Sequence, residues 1–198
     1  MKCQRLTQSA RSRSFHVQLT TLALIGALSV AGGCVLKTGV GDSKTSKVDS
    51  KLVGYWINSD DHQLVTVVPF DDATYLVDWM AYSGSEDSPQ PRLRVLNKAW
   101  VAKVDDERYA TFEMLVPPTA RTNKFLVMQL QVEDDSIVLR QLQRNIDDFL
   151  QADTSEELVA AIRKHREDAN AFSAGTTFKK ATAAQSSAIR TAFHSGIN

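Results

Sequence analysis

Two cysteines, four histidines and 23 carboxylates are the side chains from which this chain could assemble a reactive centre, and their spacing limits what they can do. Five Asp-Asp pairs, at 60–61, 71–72, 105–106, 134–135 and 147–148, are the first candidates, since neighbouring carboxylates serve calcium binding or acid–base chemistry. None has the Asp-x-Asp-x-Asp-Gly spacing of a calcium loop. The first four fall between strand-like runs, where Asp stabilises turns by bonding its own backbone. The fifth follows Asn145 at an expected helix start, where acids meet the positive end of the helix dipole. Turn and cap chemistry is the reading adopted for all five. His62 sits in an acidic turn, His165 on an apolar helical stripe and His194 in a last helical turn, without metal-ligand spacing among them. No Gly-x-Ser-x-Gly, His-Glu-x-x-His or Walker-type loop is present, and nothing sets a nucleophile beside a base. The expectation is a non-enzymatic protein that needs no cofactor and no metal.

The remaining nucleophile is the thiol of Cys34, and its setting is specific. Residues 1–18 are polar and basic, residues 19–33 form an apolar run ending in small residues, and Cys34 follows at once. A charged start, a short apolar stretch and a small-residue exit are the three parts of a secretory signal. Fifteen helical residues span about 22 Å, short of the roughly 30 Å hydrocarbon layer, so a permanent membrane-spanning helix is disfavoured. The stretch Val30-Ala31-Gly32-Gly33-Cys34 resembles the lipobox of bacterial lipoproteins, with Ala31 where that family usually carries Leu. The resemblance implies cleavage before Cys34 and attachment of diacylglycerol, with further acylation, to that residue. An ordinary secretory signal followed by an incidental cysteine is the competing reading, and a lone cysteine placed directly after the apolar run favours the lipoprotein. Val35, where inner-membrane members carry Asp, implies the outer membrane in a Gram-negative cell. Acyl chains in the plural fit the energetics, because a single chain holds a membrane only marginally.

Removal of 33 of the 198 residues would leave 165, with Cys34 as the sole cysteine, so neither an internal disulfide nor a multi-cysteine zinc site is available to the mature chain. The charge balance also changes. The first 33 residues carry four of the 23 basic groups and no acid, which leaves 19 cations against 23 acids, a net charge of −4. A mildly acidic body offers no electrostatic basis for binding nucleic acid. The membrane, reached through covalent lipid, is the expected partner, with an envelope protein or an apolar ligand as the second.

Three regions follow from this reading: a removed signal at 1–33, the lipidated Cys34 with a flexible tether at 34–51, and one β-rich domain at 52–198. The tether assignment rests on the Gly, Ser, Thr and Lys content of 35–51, which would give an r.m.s. reach of roughly 20–25 Å. Beyond Leu52, alternating runs at 53–57, 63–69, 74–82, 109–116 and 124–133 predict strands with one buried face. Tyr75, Val77, Trp79 and Ala81 share a face, as do Ala110, Phe112 and Met114, and Leu126, Met128, Leu130 and Val132.

After residue 143 the period becomes helical. Asn145 is placed as the cap of a short helix through Leu150. Thr154 and Glu157 fit a capping box ahead of a stripe of Leu158, Ile162, His165, Ala169 and Phe172. A short extended run at 176–180 is followed by a second box, Thr182 to Gln185, opening a helix to about Ser195 with Gly196 as its left-handed cap. The fold class expected is mainly β (α+β): an antiparallel meander of six or seven strands forming a small barrel or curved sheet, followed by C-terminal helices.

Gly54-Tyr55-Trp56 at the first strand resembles the Gly-x-Trp opening of lipocalins. That resemblance implies a barrel able to hold a lipid or small apolar ligand, here among Trp79, Phe112, Met114 and Met128. A tryptophan in any small β-core gives the same three-residue pattern.

Overall fold

A computed structural model of the chain describes residues 35–116 and 125–195. Residues 1–34, with the expected signal and Cys34, and Gly196 lie outside the described residues. Among the described residues there are nine strands: β1 (Val35–Leu36), β2 (Gly54–Asn58), β3 (Gln63–Pro69), β4 (Tyr75–Ser83), β5 (Gln90–Val104), β6 (Glu107–Val116), β7 (Phe125–Val132), β8 (Ser136–Gln141) and β9 (Thr176–Lys180). A 3₁₀ turn, η1 (Ser50–Leu52), precedes β2, and three helices follow β8: α1 (Asp147–Gln151), α2 (Ser155–His165) and α3 (Ala183–Ser195).

Strands β2 to β9 pair antiparallel in chain order, and β9 returns to β2. The sheet therefore closes into an eight-stranded up-and-down barrel. This is the expected fold class, with eight strands in the ring where six or seven were expected; the extended run at 176–180 is β9, so two helices are inserted before the ring is complete.

The period-2 faces fall as the alternation demands. Trp56, Val65, Val67, Tyr75, Val77, Trp79, Val95, Ala99, Ala110, Phe112, Met128 and Phe178 belong to the interior cluster. The intervening residues face outward, and on two sides they are covered. Ile57, Leu64, Met80 and Tyr82 pack under Ile189 and Phe193 of α3. Tyr109 and Val127 pack under Phe149 of α1 and Leu158 and Ile162 of α2. The capping boxes form as expected: Thr154 Oγ1 accepts from the Glu157 amide while Glu157 accepts from the Thr154 amide, and Thr182 and Gln185 repeat the exchange.

Two helical expectations need correction. Ile146, not Asn145, stands at the N-cap of α1, and no side chain caps that helix. Helix α2 stops at His165, so Ala169 and Phe172 lie beyond it; Phe172 is nevertheless buried, through an isolated bridge to Leu142.

The larger correction concerns residues 35–51, which are a strap laid on the barrel wall and not a free tether. Val35 and Leu36 pair with Leu126 and Phe125 at the start of β7. Leu36 and Val40 are each only 1% exposed. The Val40 amide donates to Thr111 Oγ1 at 3.0 Å, and its carbonyl accepts from the Trp100 indole at 2.8 Å. Farther along, Gly41 donates to Ser155 Oγ on α2, and Ser46 donates to the Val101 carbonyl.

The glycines that suggested flexibility instead permit close approach. A Cβ on Gly39 would stand 2.4 Å from Thr111 Cγ2, and Gly41, at φ +72°, faces Ala102. Substitution Gly39→Val should therefore destabilise the protein by about 1–3 kcal/mol, the range for forced overpacking. Urea unfolding of residues 35–198 checks this, since a free tether would leave the midpoint unchanged.

Candidate functional site

Trp79, Phe112, Met114 and Met128 arrive inside the barrel from β4, β6 and β7, because all four occupy inward positions of their strands. Trp79 stacks edge-on against Phe112 at 6.1 Å and against Phe178 of β9 at 5.5 Å. Its indole N–H donates to Gln63 Oε1 at 3.0 Å, which satisfies the one polar atom the ring brings into the core. Sequence reasoning missed Gln63, whose side chain follows the inward face of β3 and is buried. The structure thus brings the four predicted residues into one apolar cluster.

That cluster is packed. Among the described residues the interior cavity has a volume of about 40 Å³, bounded by residues that include Val65, Val77, Trp79, Phe112 and Leu139. Pockets that hold small organic ligands run to roughly 300–1,000 Å³, so this space suits a water-sized occupant. Met114 and Met128 do not border it.

One end of the barrel is closed by a plug built from the chain entering β2. Leu52 of η1 is buried, and its carbonyl accepts from the Trp56 indole at 2.8 Å. The ammonium of Lys180 on β9 lies 5.3 Å from the Trp56 ring centre, a cation–π contact. Asp49 caps η1 by accepting from the Lys51 amide, and it pairs with Arg108 Nη2 at 3.0 Å. Its own amide donates to the Tyr75 hydroxyl. The Lys51 amide and then the Arg108 guanidinium hold the Asp49 carboxyl below the usual carboxylate range, while burial pushes the Tyr75 phenol up. Tyr75 was expected on the inner face of its strand, but neither Asp49 nor Arg108 stood out in the sequence, because a charged residue at the edge of an element looks like a turn residue.

The Asp-Asp pairs fall where turn and cap chemistry puts them: four lie in the β2–β3, β3–β4, β5–β6 and β7–β8 turns, and the fifth opens α1. Several also fasten the outer helices. Asp105, at positive φ in its two-residue hairpin, pairs with Arg163 at 2.8 Å, and Asp148 accepts from both Lys164 and His165. His62 packs edge-on to Tyr82, and His194 contacts the Arg190 carbonyl. Among the described residues no three His, Cys, Asp or Glu side chains converge as a metal site. Outside the barrel, an open groove of about 720 Å³ runs between Tyr55 and the Arg190–His194 face of α3. Arg190 is already committed there, stacked on the Tyr55 ring and bonded to its hydroxyl.

Compared with known proteins, the chain matches no family model, no curated sequence and no solved structure. The geometry of the site must therefore carry the functional reading.

The Asp49–Arg108 latch makes a pH prediction. Its carboxyl titrates below the unfolded value of about 3.9, so its contribution is present above that value and is lost as pH falls through the depressed one. Asp49→Asn keeps an acceptor for the Lys51 amide but removes the charge. It should cost about 0.5–1 kcal/mol at pH 7, and the gap to the parent protein should close below about pH 4. Urea titrations at the two pH values measure it.

Proposed function

We propose that this chain is an exported bacterial lipoprotein, acylated on Cys34, whose barrel is a non-enzymatic interaction or assembly module of the cell envelope. The observation that carries the second half is the filled interior: a space of about 40 Å³ leaves a packed barrel to work through its outer surface. The first half rests on the order of charged start, apolar run, small residues and cysteine in the sequence. Among the described residues no helix is long and apolar enough to cross a membrane, and a lipid anchor needs none. On the strength of Val35, the reading places the protein at the outer membrane of a Gram-negative cell. The net charge of −4 after signal removal is the reason nucleic acid is left out of its partners.

A lipocalin-like binding role is the second reading, and two observations favour it. The strands follow the same up-and-down order that lipocalins use. The apolar cluster of Trp79, Phe112, Met114 and Met128 lies where such a barrel holds its ligand. On this reading the cluster must part to admit a guest.

Two measurements test the proposal. Metabolic labelling with a fatty-acid analogue should mark the parent protein and not Cys34→Ala; label that persists in the variant overturns the anchor. Native mass spectrometry of residues 35–198 should give a bare protein mass. A reproducible adduct of lipid mass would transfer the proposal to the binding barrel.

A further inference from the structure

The charge of the chain is divided along its length. Residues 34–168 carry 16 Lys and Arg against 23 Asp and Glu, whereas residues 169–198 carry Lys179, Lys180 and Arg190 and no acid at all. The acid-free part supplies β9 and α3, and α3 walls the groove beside Tyr55. A positive stretch on an otherwise acidic body concentrates the attraction for a small anion at that one place.

Arg190 is the guanidinium that lines this groove. It lies 5.3 Å from the Tyr55 ring centre, and its Nη1 donates to the Tyr55 hydroxyl at 2.8 Å. Both contacts are with a neutral side chain, so they orient the fork without neutralising it. Arg94, Arg108 and Arg163 each hold a carboxylate; among the described residues Arg190 holds none, and no Asp or Glu lines the groove. A guanidinium has five N–H donors, and the phenol takes one.

The neighbouring polar groups add donors. Tyr55 accepts from Arg190, which leaves its own O–H to donate, and no acceptor for it stands among the described residues. Ser187 and Thr191, three residues before Arg190 and one after it, line the same groove with hydroxyls that have no partner among the described residues. His194 Nδ1 lies 2.7 Å from the Arg190 carbonyl. A carbonyl only accepts, so Nδ1 carries a proton and Nε2 is left for a second partner. A fork, a phenol and two hydroxyls without an acid match a ligand that only accepts, and a phosphomonoester brings three terminal oxygens and up to two charges. The groove, at about 720 Å³, also has room for the organic group that such an ester carries.

We propose that the groove between Tyr55 and α3 binds a phosphomonoester, with Arg190 on its oxyanion and the Tyr55, Ser187 and Thr191 hydroxyls completing the shell. The proposal is independent of acylation at Cys34. It names one outer surface through which the packed barrel acts. The same phosphate reaches this groove either on a soluble ester or on a lipid headgroup.

Isothermal titration of residues 35–198, which hold the barrel, its helices and the strap, tests the site. Glycerol 3-phosphate should bind saturably, one to one, where glycerol does not. Arg190→Gln keeps a donor for Tyr55 but removes the charge, and should weaken binding about tenfold or more, the worth of a hydrogen bond to a charged group. Ser187→Glu sets a carboxylate one turn before Arg190 and should weaken it comparably. Both positions are exposed, so the urea midpoint should stay at the parent value. Dihexanoyl phosphatidic acid, used as dissolved monomer, separates the two sources: severalfold tighter binding than glycerol 3-phosphate assigns the site to a lipid headgroup, and equal or weaker binding assigns it to a soluble ester. Absence of saturable binding by either phosphate, or Arg190→Gln protein that binds as well as the parent, overturns the site. Neither result touches the anchor, which fatty-acid labelling at Cys34 decides separately.

Discussion

A sheet of eight strands has two edges unless it closes on itself, and here closure depends on the five residues of β9. Trp56 and Ile57 of β2 pair with it on one side and Ser136 to Leu139 of β8 on the other. Phe178 at its centre is fully buried, with its ring against Trp79 across the interior. Without this strand two rows of backbone donors and acceptors would lie open, the arrangement that invites pairing with other chains. The strand also explains the order of the helices. Because β9 follows α1 and α2, the chain must cover the outside of β6 and β7 before it can return to close the ring.

Closure then determines how the rest is stabilised. The interior is filled by alternate residues of every strand, and the outer face is covered on two sides by helices and on β5 and β6 by the strap. A small barrel whose core and much of its wall are both apolar buries a large share of its surface, which a domain of this size needs for stability. Among the described residues the same arrangement leaves little internal space, and that directs the functional reading to the surface. Both interior indoles are matched, the Trp79 ring by Gln63 and the Trp56 ring by Leu52, whereas the buried hydroxyls of Thr66, Thr74 and Tyr82 have no partner among the described residues.

Much of this was legible in the sequence, for physical reasons that differ by element. Strands β4, β6 and β7 alternate cleanly, and their inward residues were the ones expected. Both capping boxes were readable because a cap is local chemistry, set by residues three apart. Strand β5 was not readable in this way: Leu96, Trp100 and Ala102 on its outer face are as apolar as Val95, Ala99 and Val101 on its inner face, so coverage on both sides erases the period. The strap escaped for the opposite reason. Its composition is that of a linker: Leu36 and Val40 are large apolar side chains deeply buried in it, while Gly39 and Gly41 look like flexibility until Thr111 and Ala102 are seen against them. The apolar cluster around Trp79 was located, but neither the tight packing of the interior nor the Asp49–Arg108 latch could be read from residue types, since both depend on distances across the barrel.

The claim on which the closed wall of the barrel most depends is that residues 36–53 are part of the folded domain. Amide hydrogen exchange on residues 35–198 measures this directly, because exchange reports opening segment by segment. The amides of Val40 and Gly41, bonded to Thr111 and Ser155, should exchange far more slowly than the same sequence in a free peptide, and should be exposed only by openings that also disturb β5 and β6. Exchange at the free-peptide rate from residue 36 to residue 48, with the barrel strands still protected, would contradict the account.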